Sequence, residues 1–198
     1  MRNPFRRKLM QARFLPFAAG GALALAAAAP SRALVALGVA LVAAGVALRT
    51  WAAGHLEKRE ILAVSGPYAR LRHPLYAGTL AISLGIAAVL GGVGSALAAA
   101  LLAAWFVGSY FPRKERSESD ALEARFGGAF TAYRARVPAL WPARRSYAPS
   151  REVASSVDLS TGWTARRYAD NHELATLAAV ALALGVALLR VRALLGAP

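Results

Sequence analysis

Two arginines, a histidine and a tyrosine stand at the start of a long apolar segment, in the run Arg70-Leu71-Arg72-His73-Pro74-Leu75-Tyr76. Charge at the edge of a membrane span is expensive to desolvate, so by default it marks a functional site. An arginine fork and the free backbone N–H groups of a first helical turn can hold a carboxylate. Proline, which has no N–H, suits that first turn. The same residue types are common interfacial anchors, so the run predicts either a ligand site or an anchor.

A second group of residues that could do chemistry opens the one sizeable polar stretch of the chain, with the acids Glu115, Glu118 and Asp120. Apolar residues then recur at helical spacing, at Leu122, Phe126, Phe130, Tyr133 and Val137. This spacing predicts an amphipathic helix that lies on the membrane or on a helical bundle.

The limits of that helix can also be predicted. Ser117 and Asp120 fit an N-terminal capping box, which places the start of the helix there. The pair Gly127-Gly128 predicts a break in the middle, because glycine weakens a helix. Pro138 ends the pattern.

Five apolar segments surround these polar residues, at 14–29, 33–53, 75–90, 96–111 and 174–189, with a tight turn expected at 91–95. A span needs roughly 20 residues. The pattern therefore predicts an all-α, polytopic membrane bundle of about five spans with a cytoplasmic amphipathic helix. Two alternatives remain open: the first segment is a signal peptide, or the last one lies at the interface. The predicted divisions are a membrane core at 1–142, a cytoplasmic linker at 143–172 and a C-terminal apolar helix at 173–198.

Composition agrees with a membrane protein, since the chain is 57% hydrophobic. A net charge of +14 in a soluble protein would suggest nucleic acid, but here the basic residues lie between apolar segments, which favours membrane lipids as partners and excludes nucleic acid. With five spans, 21 of the 24 lysines and arginines fall on one side, which predicts that this side is cytoplasmic. The absence of cysteine excludes disulfides and thiolate chemistry. The three scattered histidines lack metal-ligand spacing.

Two motifs carry a resemblance to a known family. Gly66-Pro67-Tyr68 followed by the run from Arg72 to Gly78 is similar to the signature of the isoprenylcysteine carboxyl methyltransferase and phospholipid methyltransferase superfamily. A second part of the chain is similar to the second signature of that superfamily. It reads Glu118-Ser119-Asp120-Ala121-Leu122, then Phe126-Gly127, Phe130 to Tyr133 and Arg136-Val137-Pro138. Ser119 departs from an expected glutamate, and Phe130 from an expected tyrosine. Together the motifs cover about half of the chain.

The resemblance implies an integral-membrane enzyme that uses S-adenosylmethionine as its cofactor. The alanine- and arginine-rich composition suggests a bacterial inner membrane, and the distribution of basic residues predicts that the site is cytoplasmic. The catalytic residues that it implies are Arg72, Glu118 and Arg136. The cofactor-binding residues that it implies are Tyr68, His73, Pro74, Tyr76, Gly78 and Glu118. The acidic role stays open among Glu115, Glu118 and Asp120 because of the departure at Ser119. The acceptor, a prenylated cysteine carboxylate, a lipid amine or another amphiphile, is expected to come laterally from the lipid.

Other readings stay open beside this one. A membrane reductase that uses NADPH and a non-catalytic scaffold are the two alternative functions. His55 is expected either to line the donor pocket or to face water. Arg49, which interrupts the second apolar segment, is expected to matter less than Arg72.

Overall fold

The computed structural model describes residues 15–57, 61–156, 159 and 162–196, and the regular structure among them is helical. The elements are α1 (Leu15–Ala26), α2 (Arg32–His55), a 3-10 turn (Gly66–Ala69), α3 (Pro74–Leu90), α4 (Gly92–Trp105), a π-helical turn (Phe106–Tyr110), α5 (Phe111–Arg136), α6 (Arg151–Ser156), α7 (Ala165–Asp170) and α8 (Glu173–Leu195). The predicted all-helical class is confirmed.

In the part of the chain that the structure describes, three helices are long and apolar enough to cross a membrane. They are α2, the continuous helix Gly92–Arg136 and α8. In the second of these the apolar part runs from residue 92 to about residue 111, and the charged part from residue 112 onwards lies outside it. Helix α3 is apolar but has only 17 residues.

Helices α2 and α3 pack closely because glycines face each other at two levels. A Cβ atom on Gly38 would lie 2.5 Å from the carbonyl oxygen of Gly85, and one on Gly45 would lie 2.7 Å from that of Gly78. Small residues allow membrane helices to approach to this distance. The start of α3, which carries the Arg-His-Pro run, is thereby held beside the end of α2.

At the opposite end of the bundle the connections are short and nearly free of charge. Helix α3 ends at Leu90, Gly91 follows with a φ of 62°, and α4 begins at Gly92. Gly91 pairs with Ala29 of the α1–α2 turn. Arg190 of α8 reaches the same end, where its Nε donates to the carbonyl of Leu25 at 3.1 Å. The predicted turn is confirmed, although it is shorter than expected.

Helix α5 corrects one prediction and confirms another. It does not begin at a capping box near Ser117, because the π-helical turn joins it to α4 and supplies the carbonyl acceptors of its first turn. Gly127 has a φ of 50° and a ψ of −128°, so the predicted break is present. The helix ends at Arg136, before Pro138. Its buried residues Phe126, Phe130 and Tyr133 pack against Leu62 and Val64.

The chain after α5 is hydrogen-bonded back onto the motif. The amides of Arg72 and His73 donate to the carbonyls of Pro138 and Ala139, at 2.9 and 3.1 Å. The amides of Ala143 and Tyr147 donate to residues 70 and 69, both at 2.7 Å. These contacts hold residues 69–73, at the start of α3, against the chain that follows α5. The predicted boundary at residue 142 stays a prediction.

Candidate functional site

A cavity of about 1120 Å³ lies at the polar end of the bundle. It is larger than the roughly 300–1,000 Å³ of most small-molecule pockets, so it has room for two reactants. Two groups of polar residues line it. The motif wall consists of Arg72, His73, Tyr76, Glu118 and Tyr133. The C-terminal wall consists of Arg49, Glu57, Asn171, His172 and Glu173.

In the motif wall, the two sequence motifs meet through their side chains. The Tyr76 hydroxyl donates to Oε1 of Glu118 at 2.5 Å, and Nδ1 of His73 lies 3.5 Å from Oε2 of the same carboxylate. Arg72 donates through Nη1 to Oε1 of Glu115 at 2.9 Å and through Nε to the carbonyl of Val137 at 2.9 Å. Glu115 and Glu118 are three residues apart, so they project from the same face of α5.

The environment keeps both carboxylates ionised. Burial raises the pKa of Glu118, but the hydrogen bonds from His73 and Tyr76 outweigh this effect and leave its pKa below the usual value. Burial likewise raises the pKa of Glu115, while Ser119 and Arg72 lower it by a larger amount. The hydroxyl of Ser119 donates to Oε1 of Glu115 at 3.1 Å. Ser119, the position at which the chain departs from the signature that it resembles, therefore orients Glu115 one turn away.

The two partners of Glu118, His73 and Tyr76, belong to a cluster of aromatic rings, and the Glu118 side chain itself is 42% exposed. The ring of His73 lies 5.3 Å from that of Phe111 in a T-shaped arrangement and 5.7 Å from that of Tyr76. The π-helical turn and the residue before it add Trp105, Phe106 and Tyr110 to the cavity lining. Nε2 of His73 is buried and has no hydrogen-bond partner. A carboxylate beside aromatic faces attracts cations, and the free Nε2 can still bond to a ligand.

Tyr133 fixes the inner edge of the motif wall. Its hydroxyl donates to the carbonyl of Tyr68 at 2.7 Å, and both side chains are buried. Burial raises the pKa of each phenol, so both remain neutral donors at physiological pH.

In the C-terminal wall, a buried ion pair joins three helices. Arg49 of α2 donates to both carboxylate oxygens of Glu173 in α8, at 2.6 and 3.1 Å. Its Nη1 also donates to the carbonyl of Leu75 and to Oγ1 of Thr79 in α3. The side chains of Arg49 and Glu173 are only 14% and 4% exposed. Arg49 is therefore a central structural residue and cannot serve as a neutral comparison for Arg72.

Most of the residues predicted for the site line this one cavity, namely Tyr68, Arg72, His73, Pro74, Tyr76 and Glu118. Two do not. Gly78 lies behind Arg49, where an added Cβ would be 2.6 Å from the arginine Cγ, so it serves helix packing. Arg136 is exposed at the end of α5, away from the cavity lining.

The structure also gives positions for the residues whose roles the sequence left open. Asp120 is exposed and outside the lining, whereas Glu115 contacts Arg72 and Glu118 lines the cavity. His55 takes neither expected position. It is buried, and its Nδ1 lies 2.9 Å from Oγ of Ser65.

Sequence reasoning missed the C-terminal wall. The charge of Arg49 inside an apolar segment was a signal, since such a residue normally has a buried partner. Asn171 and His172 carry no comparable signal. Among the described residues, no group of three or more histidine or acidic side chains is placed to hold a metal ion.

No protein-family model, curated protein or solved structure matches this chain.

Proposed function

We propose that this protein is an integral-membrane methyltransferase that moves a methyl group from S-adenosylmethionine to a lipid-like acceptor. One observation carries the proposal. Tyr76 and Glu118, 42 positions apart in two separate motifs, meet at 2.5 Å in a cavity large enough for two reactants. An ionised carboxylate among aromatic rings suits the cationic sulfonium of the donor.

The reaction needs alignment more than it needs a reactive protein group. A lone pair of the acceptor forms a bond to the methyl carbon while the carbon–sulfur bond breaks, and its electron pair passes to sulfur, which becomes a neutral thioether. In the proposed site Glu118 lies near the sulfonium. Arg72 donates to Glu115 and Val137 through Nη1 and Nε, and its Nη2 remains for the carboxylate of the donor. A site that holds donor and acceptor in line can supply much of the rate.

We further propose five spans, with the polar end of the bundle in the cytoplasm of a bacterial inner membrane. The distribution of basic residues supports this orientation, since one end of the bundle is formed by short apolar turns and the other by the charged walls. A cysteine at exposed Ser117 should resist an impermeant thiol reagent added to intact cells. A cysteine at exposed Ser31, in the α1–α2 turn, should react. The reverse pattern would contradict the orientation.

Ligand binding to the purified protein tests the activity. S-adenosylmethionine and its demethylated product should each stabilise the fold, by about 2.7 kcal/mol at 100 times the dissociation constant. Tyr76→Phe and Glu118→Gln should weaken donor binding about tenfold, as expected when about 1.4 kcal/mol of charge-assisted contact is lost.

Two matched variants serve as controls: Tyr147→Phe, a phenol outside the cavity lining, and Asp120→Asn, an exposed acid two residues from Glu118. Both should leave donor affinity unchanged. Stabilisation by NADPH in place of the donor would favour a reductase. Binding of neither compound would favour a scaffold.

A further inference from the structure

His172 has an unusual backbone conformation for its residue type. With a φ of 56° and a ψ of 29°, it is the one non-glycine residue of the described part with a positive φ. The left-handed conformation is strained for an L-residue with a Cβ atom, and glycine adopts it without this strain. His172 also lines the cavity. Residues held in such conformations cluster at ligand sites, so the backbone of His172 points to a role for its imidazole in the cavity.

The preceding residue carries a second cost. Nδ2 of Asn171 donates to the carbonyls of Ala53, Leu56 and Arg167, at 3.0, 2.8 and 2.8 Å. These three acceptors set the orientation of the amide, because a flipped amide would place its oxygen against them. Oδ1 is then buried without a partner. An unpaired buried acceptor destabilises the fold, and a ligand that donates a hydrogen bond to it would offset this cost.

The charges of this wall are matched within the protein. Glu173 is paired with Arg49 at 2.6 Å, and Glu57 with Arg167 at 2.7 Å. Of the described residues, the C-terminal wall therefore presents hydrogen-bond acceptors and no unpaired cation. A ligand carboxylate would meet two carboxylates whose cations are already engaged, whereas an N–H or O–H group would meet the unpaired Oδ1 of Asn171.

Apolar lining continues from this wall towards the membrane part of the bundle. Leu80 and Ser83 of α3, Leu102 of α4 and Ala175 of α8 border the same cavity. An alkyl tail can follow this surface while its head group stays at residues 171 and 172. The occupant that fits is an amphiphile with a polar, hydrogen-bond-donating head.

We propose that Asn171 and His172 form the head-group subsite for the methyl acceptor, and that this head group is an amine or a hydroxyl rather than a carboxylate. This inference rests on the proposed function and deepens it. The head-group nitrogen or oxygen forms the new bond to the methyl carbon as the carbon–sulfur pair passes to sulfur, and a proton that it carried is released to water.

Three probes of ten carbons each test the proposal: decylamine, decanol and decanoate. Their affinity for the full-length protein is measured in non-ionic detergent, with and without the demethylated donor. Decylamine or decanol should bind at least tenfold more tightly than decanoate, although the net charge of +14 favours decanoate. The preferred probe of the two identifies the head group as amine or hydroxyl.

Substitutions then separate recognition from folding. His172→Gly should raise the melting temperature, since it relieves the left-handed strain, and should weaken binding of the preferred probe about tenfold. His172→Asn, which also tolerates this conformation, should bind with intermediate affinity. Asn171→Ala should weaken binding as well. Asp170→Ala, an exposed neighbour outside the lining, is the matched control and should bind normally.

Tighter binding of decanoate, or unchanged probe affinity in His172→Gly, would overturn the inference. Donor binding separates this failure from that of the proposed function. A protein that binds the donor but is indifferent to the three head groups refutes the inference alone. A protein that prefers decylamine or decanol through His172 but never binds the donor refutes the methyltransferase alone.

Discussion

The two walls of the cavity are each held by an arginine–glutamate pair, yet they are built differently. Arg49 and Glu173 are 124 positions apart and tie α8 to α2 at 2.6 Å. Arg72 and Glu115 are 43 positions apart, at 2.9 Å. The backbone amides of residues 72 and 73 also donate to the carbonyls of residues 138 and 139. The C-terminal wall is therefore held by side-chain contacts, namely this pair, the Arg167–Glu57 pair and the Asn171 amide, whereas the motif wall adds hydrogen bonds between backbone groups.

The largest effect should come from breaking the pair of the C-terminal wall. Glu173→Ala leaves the Arg49 guanidinium buried without a counter-charge, so the free energy of unfolding should fall by about 3–5 kcal/mol. Thermal unfolding in detergent measures the loss. Asp170→Ala removes an exposed acid from the same turn and should change stability by less than about 0.5 kcal/mol.

A double substitution distinguishes lost attraction from stranded charge. Arg49→Met combined with Glu173→Leu should recover much of the stability, because apolar side chains of similar size replace a buried pair well. If the double variant were as unstable as Glu173→Ala, the stranded arginine would not be the cause.

Helix packing behind Arg49 should give the next largest effect. Gly78→Ala places a Cβ atom 2.6 Å from Cγ of Arg49 and 2.9 Å from the carbonyl oxygen of Gly45, so stability should fall by about 1–3 kcal/mol. Gly185→Ala is the control, since nothing lies within 4 Å of its added Cβ. If Gly78→Ala weakened donor binding without changing stability, Gly78 would be a binding residue after all.

Loss of the motif-wall pair should be milder and dependent on pH. Glu115→Gln should cost about 1.5 kcal/mol at neutral pH. Because the native pKa of Glu115 is lowered, its contribution is present above the unfolded carboxyl pKa of about 4.3 and is lost as the pH falls through the lower native value. The stability difference between wild type and variant should therefore be constant from pH 5 to 7 and shrink below about pH 4. A difference that grew on acidification would contradict the assignment.

The smallest effect should come from a single neutral hydrogen bond of the motif wall. Tyr133→Phe removes the donor to the carbonyl of Tyr68 and should cost about 1 kcal/mol. Chemical unfolding measures this change, and Tyr168→Phe, a less buried tyrosine of α7, supplies the baseline. A loss of stability as large as that of Glu173→Ala would mean that Tyr133 contributes more than one neutral hydrogen bond to the motif wall.

Several features could be predicted from the chain because they depend on neighbouring residues. The all-helical class, the turn at Gly91 and the break at Gly127 follow from apolar periodicity and from the conformational freedom of glycine. The start of α5 could not be predicted locally, because a π-helical turn continues α4 through the position where a cap was expected. Which of the three acids lie near the cavity depends on what packs against α5, so their positions could not be predicted from neighbouring residues.

The sequence by itself determined which segments are apolar helices and that two polar motifs lie beside them, since hydrophobic periodicity is a property of adjacent residues. Only the tertiary structure decided that Arg49 pairs with Glu173 and that Asn171 and His172 reach the cavity. Many arginines and acids in this chain are chemically equivalent as possible partners. Their pairing is selected by the close packing of α2, α3 and α8, which leaves a buried charge one partner within reach.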